Sequence, residues 1–159
     1  MIHIRHLTWK FDGAPRPARQ DDTLEIDPGE LVVISGPSGC GKSTLALALG
    51  GYLFQQYHGR AEGSVEVGGL DVRQVPIYRA AELVGLVQQN PENQFCTLNV
   101  QDELAFALEN RRYPPAEIRQ RIAWALEVVD AADLRDRALA TLSGGEKQKI
   151  AIASMLVGR

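Results

Sequence analysis

Residues Gly36 to Thr44 read GPSGCGKST, and this stretch decides the fold. It matches the pattern G-x-x-x-x-G-K-[ST] in full, and it stands between the apolar segment ELVVIS and the helix-like segment KSTLALALGGYLF. A strand, a glycine-rich loop and a helix in this order bring successive backbone N–H groups together around phosphate oxygens. The stretch therefore predicts a phosphate-binding loop in an α/β domain.

The residue types of this loop suit a nucleotide with Mg²⁺. Glycines let the backbone curl, and the following helix directs its positive end at the phosphates. Lys42 would supply charge to the β- and γ-phosphates, and the Ser43 hydroxyl would ligate Mg²⁺. We predict ATP and Mg²⁺ binding through Gly36, Pro37, Ser38, Gly39, Cys40, Gly41, Lys42, Ser43 and Thr44. A glycine-rich turn without a ligand is the alternative, and for Cys40 a redox role competes with the filling of a small-residue position.

Composition and charge restrict the class of protein. The net charge of −3 over 159 residues offers no electrostatic reason to expect nucleic-acid binding. Cys40 and Cys96 have neither disulfide nor metal-ligand spacing, which favours a reducing cytosolic compartment. The first ten residues lack the apolar core of a signal peptide, and the longest apolar run, Leu45 to Phe54, is short of the roughly 20 residues that span a bilayer. Any membrane role is therefore expected to come through a partner.

The hydrophobic patterns predict mostly strands in the N-terminal part of the chain and helices in the part that follows. IHIRHLTWKF alternates as a half-buried strand with a phase slip near Arg5 and His6, and GSVEVGGLDV is a predicted hairpin. Apolar strands are predicted at TLEI, at 31–35 and at a segment ending near Val87. Two helices follow, the second starting at the Pro114-Pro115 pair, with inward positions predicted at Leu104, Leu108, Ile118, Ile122 and Leu126. We predict a β-rich nucleotide core at 1–95, a helical lobe at 96–140, and a turn with a final helix at 141–159.

Leu142 to Glu146 read LSGGE in front of that final helix. Ser143 would cap the helix and the glycines would expose N–H groups, which by itself also fits an ordinary capped turn. Together with the phosphate loop, the string resembles the LSGGQ signature of the ATP-binding-cassette (ABC) ATPases, with Glu146 in place of Gln. In that family the signature binds the γ-phosphate held by the other subunit. The resemblance implies a site acting in trans, formed by Ser143, Gly144, Gly145 and Glu146.

LVQQNPENQF, residues 86–95, resembles the Q-loop of the same family. The resemblance implies that Gln89 contacts Mg²⁺ and the attacking water. The candidate catalytic residues are therefore Lys42 and Gln89, and the candidate metal ligands are Ser43 and Gln89. A polar turn forced by Pro91 is the alternative. The NPENQ wording further resembles the ATPases of energy-coupling-factor importers for vitamins and for cobalt or nickel. Phe11 fits the place where the family stacks an aromatic ring on adenine, although Phe11 and Trp9 also fit as two core aromatics.

The resemblance implies a P-loop NTPase core, with a partial parallel sheet plus antiparallel strands and an inserted α-helical lobe. It also implies a second ATPase subunit in a homo- or heterodimer, integral-membrane transport subunits, and a place on the cytoplasmic face of the membrane. No apolar run followed by Asp-Glu, and no late switch histidine, occurs in these residues. We therefore expect the C-terminal strands of the family fold to be absent, and ATP to be bound but not hydrolysed. The final helix, apolar on all sides from Ile150, is expected to lack cover and to favour self-association or local disorder.

Three other functions remain open at this point. ABC-type ATPases of DNA repair and chromosome maintenance share both motifs but insert a long coiled coil, for which the interval between Gln89 and Leu142 is short. Another phosphotransferase or a GTPase could use the same loop, although it leaves QQNPENQF and LSGGE unexplained. The third alternative is a nucleotide-binding fragment without enzymatic activity.

Overall fold

The computed structural model of the chain describes residues 1–158. The backbone forms two compact units, Met1–Leu86 (the N-terminal unit) and Val87–Arg159 (the C-terminal unit). The N-terminal unit combines an antiparallel sheet with short helices, and the C-terminal unit is helical. The α/β class predicted from the sequence is therefore confirmed. The functional division at 1–95, 96–140 and 141–159 stays a prediction, because the two units reflect packing alone.

The sheet of the N-terminal unit has four strands in the order β2-β1-β3-β4. These strands are β1 (Ile2–Phe11), β2 (Arg19–Ile26), β3 (Gly59–Val67) and β4 (Leu70–Asp71). Each strand runs antiparallel to its neighbours. The β3–β4 hairpin turns at Gly68 and Gly69, whose φ angles are 57° and 83°. A two-residue turn with both φ values positive matches the twist of a hairpin, so the predicted hairpin is confirmed.

The phase slip predicted in β1 is a β-bulge. The register of β1 shifts around Arg5 and His6 against both neighbouring strands, and His6 has φ 52°. Because of this extra residue, Ile4 and Leu7 are both fully buried, although they are three positions apart. A Cβ built on Gly63 would lie 2.3 Å from the carbonyl oxygens of Arg5 and His6. The bulge therefore depends on glycine in the opposite strand.

Three helices accompany the sheet: α1 (Lys42–Leu49), α2 (Tyr52–Gln56) and α3 (Ile77–Ala80). Their buried side chains share one core with the sheet, formed by Ile4, Leu7, Trp9, Leu45, Ala48, Leu53, Val65, Val67, Val72 and Ala80. Burial of apolar surface in this core fixes α1 relative to β1 and β3. The start of α1, where the phosphate loop ends, is thereby held against the sheet.

The strand predicted at 31–35 is not formed, and this part of the prediction is wrong. Residues 31–35 have no regular structure, and Leu31 and Val33 are 92% and 82% exposed. The apolar stretch predicted to end as a strand near Val87 is irregular as well. A strand covered on both faces needs hydrogen-bonded neighbours and a layer on each side. No strand within residues 1–158 pairs with either stretch, so the parallel part of the predicted sheet is not formed by these residues.

The C-terminal unit is built from α4 (Val100–Asn110), α5 (Pro115–Val128) and α6 (Gly144–Leu156). Single 3-10 turns lie at Pro91–Gln94, Ala132–Leu134 and Leu139–Thr141. The five inward positions predicted from helical periodicity are all buried in the core of this unit, which confirms the pattern: Leu104, Leu108, Ile118, Ile122 and Leu126. The start of α5 at Pro115 is confirmed as well. Across residues 1–158, no helix is long and apolar enough to cross a membrane.

Helix α6 is covered on the face that packs against α4 and α5, contrary to the expectation from its sequence, while Ile152 is 45% exposed. Ile150, Ala153 and Val157 are fully buried in the core that α6 shares with α4 and α5. At its C-terminal end, the guanidinium groups of Arg111 and Arg121 donate to the carbonyl oxygens of Gly158 (2.9 Å) and Val157 (3.2 Å). These bonds satisfy carbonyl groups that lack partners within the helix. The apolar face of α6 thus packs inside its own unit.

Candidate functional site

The phosphate loop curls through three glycines with positive φ angles. Gly36, Gly39 and Gly41 have φ angles of 154°, 82° and 93°. Gly41 caps α1, and a Cβ built there would lie 2.5 Å from the Ala18 carbonyl oxygen. Both the backbone angle and the close approach of Ala18 therefore require glycine at this position.

The Lys42 side chain lies across the loop. Its ammonium donates to the carbonyl oxygens of Gly36 (2.7 Å) and Pro37 (2.9 Å) and approaches the Cys40 Sγ at 3.6 Å. Ser43 is exposed in the first turn of α1, and that turn carries no acidic side chain. Positive charge and the N-terminal end of a helix thus occur together without a competing carboxylate, the combination that binds anions.

The two aromatic residues of β1 have different surroundings. Trp9 is 2% exposed and belongs to the core, and its indole N–H is buried without a hydrogen-bond partner among the described residues. Phe11 is half-buried at the end of the strand. It makes edge contacts with the rings of Trp9 and Tyr57, at centroid distances of 5.6 Å and 6.0 Å. Of the two rings, only Phe11 is open to a ligand.

Gln89 is exposed. It lies at the start of a turn that is held by hydrogen bonds between its own residues. The side-chain carbonyl of Asn90 accepts from the N–H of Glu92 (3.1 Å), and the 3-10 turn Pro91–Gln94 follows. The side-chain oxygen of Gln94 accepts from the N–H of Gln88 (3.0 Å). The position next to Gln89 is therefore fixed by side chains further along the loop.

This turn is also attached to α6, which the sequence did not predict. The Gln94 amide donates to the carbonyl oxygen of Ala151 (3.5 Å), and the Lys147 ammonium contacts the Glu92 carboxylate. Lys147 lies one residue beyond the signature turn (Leu142–Glu146). Gln89 and the signature turn thus belong to one packed unit, whereas the phosphate loop belongs to the N-terminal unit.

Glu103 is a buried carboxylate that sequence reasoning missed. It is 7% exposed on α4, and its Oε2 accepts from the N–H groups of Cys96 (2.9 Å) and Thr97 (3.0 Å) and from the Thr97 hydroxyl (3.1 Å). A buried charge needs such partners to offset its desolvation. The sequence signal that could have identified Glu103 is its position in the first turn of a helix. A carboxylate there can accept hydrogen bonds from N–H groups of the residues just before the helix.

The signature turn begins α6 with a complete capping box. The Ser143 Oγ accepts from the N–H of Glu146 (3.4 Å), and the Glu146 carboxylate accepts from the N–H of Ser143 (2.7 Å). The predicted cap is thus confirmed. Gly144 and Gly145 are exposed, and a Cβ built on either would meet nothing within 4 Å. The backbone of the turn is therefore open to a ligand or a partner.

Residues 20–159 match the family model described as ABC transporter. The chain belongs to the ABC transporter family. It is 41% identical over 157 residues to a putative ABC transporter ATP-binding protein of Pyrococcus abyssi, covering 99% of the chain and 56% of that protein. It is 37% identical over 160 residues to the energy-coupling factor transporter ATP-binding protein EcfA1 of Bacillus licheniformis, covering 100% of the chain and 55% of that protein. The chain thus spans little more than half the length of these two ABC relatives.

Solved ABC structures share the fold. The structure of cbiO1 from Clostridium perfringens, described as part of the ABC transporter complex cbiONQ, aligns with a TM-score of 0.85 at 28% identity, over 99% of this chain and 61% of that one. A dimeric structure of the bacterial ABC transporter cassette MJ0796 aligns with a TM-score of 0.82 at 25% identity, over 99% and 70%. The predicted P-loop ATPase fold of the ABC family is confirmed.

Glu146, which stands where the ABC signature has Gln, has a lowered pKa. Hydrogen bonds from Ser143, the side chain first and then the backbone, lower the pKa of Glu146 from its usual 4.5, and the charges of Arg137 and Lys149 act in the same direction. Because the folded pKa is lowered, the ionised cap contributes stability above pH 4.5 and loses it as pH falls through the folded pKa.

We expect Ser143→Ala to raise the pKa of Glu146 towards its usual value, because the largest cause of the shift is removed. An NMR titration of the Glu146 side-chain carboxyl carbon measures this pKa directly. Ser154→Ala, later in the same helix, is the matched control and should leave it unchanged. Equal pKa values in the Ser143→Ala variant and the parent chain would contradict the capping box as the cause.

Proposed function

We propose that this chain forms the ATP-binding part of an ABC transporter ATPase that couples ATP hydrolysis to import of a vitamin or a metal ion. The observation that carries the proposal is the phosphate loop: three glycines with positive φ, the Lys42 ammonium, and a helix start without acidic side chains. These groups form an anion site, and their order along the chain is that of a loop that binds nucleotide phosphates.

Within this proposal, Lys42 exchanges the carbonyl groups of Gly36 and Pro37 for phosphate oxygens and places one positive charge on the β- and γ-phosphates. The exposed Ser43 hydroxyl ligates Mg²⁺. Within residues 1–158, no group of three His, Cys, Asp or Glu side chains could hold a metal ion by itself. The candidate metal ligands are Ser43 of the N-terminal unit and Gln89 of the C-terminal unit; bound Mg²⁺ would neutralise phosphate charge, and Gln89 would orient the attacking water.

Phe11 is the proposed adenine platform. Its ring makes edge contacts with the rings of Trp9 and Tyr57, so that it loses little conformational freedom when a base stacks on it. A surface depression beside it is lined by the polar and small residues Lys10, Asp12, Gly13, Ala14 and Arg60. An aromatic ring in a partly polar depression suits a base that also has hydrogen-bonding edges.

The signature turn supports a second ATPase subunit as a partner. The open backbone of Gly144 and Gly145 offers N–H groups at the start of α6, and we propose that these groups and the Ser143 hydroxyl bind the nucleotide of the partner subunit. The names of EcfA1, an energy-coupling factor transporter ATP-binding protein, and of cbiO1, part of an ABC transporter complex, support partner subunits in a transporter. We propose that these partners are integral-membrane subunits, and we propose a vitamin or metal-ion cargo from the resemblance of NPENQ to the importer ATPases. The chain would then lie at the cytoplasmic face of the membrane, held there by those subunits.

We further propose that these 159 residues bind ATP without turning it over. Phosphoryl transfer needs a positioned water and carboxylates for the metal shell. No apolar run followed by Asp-Glu occurs in the sequence to supply them. Ser43 and Gln89 provide metal and water contacts, but neither is a base.

Calorimetric titration tests the binding proposal, and a phosphate-release assay tests the second part. Mg·ATP should bind measurably, Mg·GTP more weakly, and phosphate release should stay far below a typical enzyme rate of about 10 s⁻¹. A preference for GTP would favour a GTPase, one of the alternatives left open by the sequence. No binding of any nucleotide would overturn the proposed function, and turnover near that typical rate would overturn the proposal that catalysis needs further groups.

A further inference from the structure

Arg19 lies beside the phosphate loop although no motif includes it. It is the first residue of β2, paired with Trp9 of β1, and its neighbour Ala18 donates its N–H to the Trp9 carbonyl oxygen (2.8 Å). Its guanidinium donates to the carbonyl oxygen of Cys40 (3.4 Å). The sheet thus holds the backbone of Arg19, and its side chain reaches into the loop.

The same contact region explains the tight packing at Gly41. A Cβ built on Gly41 would lie 2.5 Å from the Ala18 carbonyl oxygen and 2.9 Å from the Arg19 Cδ. The stem of Arg19 therefore lies directly against the last loop residue before α1. Movement of this part of the loop towards β2 is blocked by both residues.

The guanidinium contact also sets the direction of a peptide group. All peptide bonds of the described chain are trans, so the carbonyl of Cys40 and the N–H of Gly41 point in opposite directions. Because the carbonyl points to Arg19, the N–H of Gly41 points away from β2. In a loop of this type, the converging N–H groups are what bind phosphate.

The charge of Arg19 is already paired. Its Nε contacts the Asp22 carboxylate, and the two side chains are only 17% and 22% exposed. Such a pair restricts the orientation of the guanidinium and offsets part of its charge. An effect of Arg19 on a bound phosphate is therefore expected to come from orientation of the loop more than from attraction.

We propose that Arg19 is a positioning residue for the phosphate loop, holding the Cys40–Gly41 peptide so that its N–H faces the nucleotide phosphates. This inference rests on the proposed function, since it assumes that the loop binds a nucleotide. Arg19 acts through the loop backbone and does not itself touch the phosphates.

The test combines ADP affinity with the amide NMR spectrum of the full 159-residue chain. We expect Arg19→Met to shift the Gly41 and Lys42 amide signals before any ligand is added, and to weaken ADP binding by about three- to tenfold, within the range of one ordinary hydrogen bond. Arg19→Lys keeps a cationic donor and should recover part of the affinity. Arg5→Met, an exposed arginine on β1, is the matched control for lost charge.

Four outcomes separate the explanations. Unchanged ADP affinity in a folded Arg19→Met chain would overturn the inference, and so would an equal loss in Arg5→Met, which would indicate a general charge effect. If Arg19→Met does not fold, the same two measurements are made on Arg19→Lys. Parent-like ADP affinity together with unchanged Gly41 and Lys42 amide signals in that variant would overturn the inference. Failure of the unsubstituted chain to bind ADP would overturn the proposed function itself.

Discussion

Lys42→Ala is expected to weaken binding of ATP and ADP by about 10- to 150-fold, or about 1.5–3 kcal/mol, the range for a hydrogen bond to a charged group. The ammonium is the charged side chain that lies across the loop, where it contacts the carbonyl oxygens of Gly36 and Pro37. It must leave these carbonyls to reach a phosphate, so the lost affinity is smaller than for a cation without partners. Calorimetric titration with Mg·ATP and Mg·ADP measures the change.

Two features make this substitution a clean test. Alanine is a good residue for the first turn of α1, so the fold should be kept. Lys149→Ala removes the same charge from α6, where the ammonium donates to the Asp130 carbonyl oxygen (2.6 Å), and should leave nucleotide affinity unchanged. Equal affinities in Lys42→Ala and the parent chain would defeat the assignment of the loop.

Ile150→Ala is expected to lower the free energy of unfolding of the C-terminal unit by about 2–5 kcal/mol, the range for truncating a buried isoleucine. Ile150 is fully buried in the core shared by α4, α5 and α6. A unit of this size has a total stability on the order of 5 kcal/mol, so the variant should be largely unfolded at moderate temperature. Denaturant titration monitored by the fluorescence of Trp124, which lies on α5, follows this unit.

Ile152→Ala is the matched control, because it is the same substitution two residues along the same helix. Ile152 is 45% exposed, and surface substitutions usually change stability by less than about 0.5 kcal/mol. Similar losses in the two variants would mean that α6 does not dock through Ile150. The expectation drawn from sequence, an uncovered final helix, would then be correct after all.

Several features follow from local sequence alone. The glycine spacing of the phosphate loop and the inward positions of α4 and α5 were predicted because each depends on residues close together in the chain. The phase slip near His6 indicated the bulge, but not the glycine of the opposite strand on which the bulge depends. The cap of α6 is local in the same way, since Ser143 and Glu146 are three residues apart. Such patterns determine backbone conformation before any long-range contact is made.

Other features depend on contacts between distant parts of the chain. The apolar stretch at 31–35 reads as a buried strand, yet it forms none among the described residues because no strand there pairs with it. Helix α6 reads as uncovered, yet α4 and α5 cover it, since an apolar face does not specify its partner.

The same limit applies to the polar contacts of the candidate site. Arg19 beside Cys40, Lys147 with Glu92, and the Gln94 amide on Ala151 are each brought together by packing across tens of residues. The sequence determined the inward positions of α4 and α5, the cap of α6, and the chemistry that the phosphate loop and signature turn can offer. Tertiary structure decided which apolar faces are covered and which side chains hold the loops in place, because burial and hydrogen bonding depend on neighbours that no local pattern names.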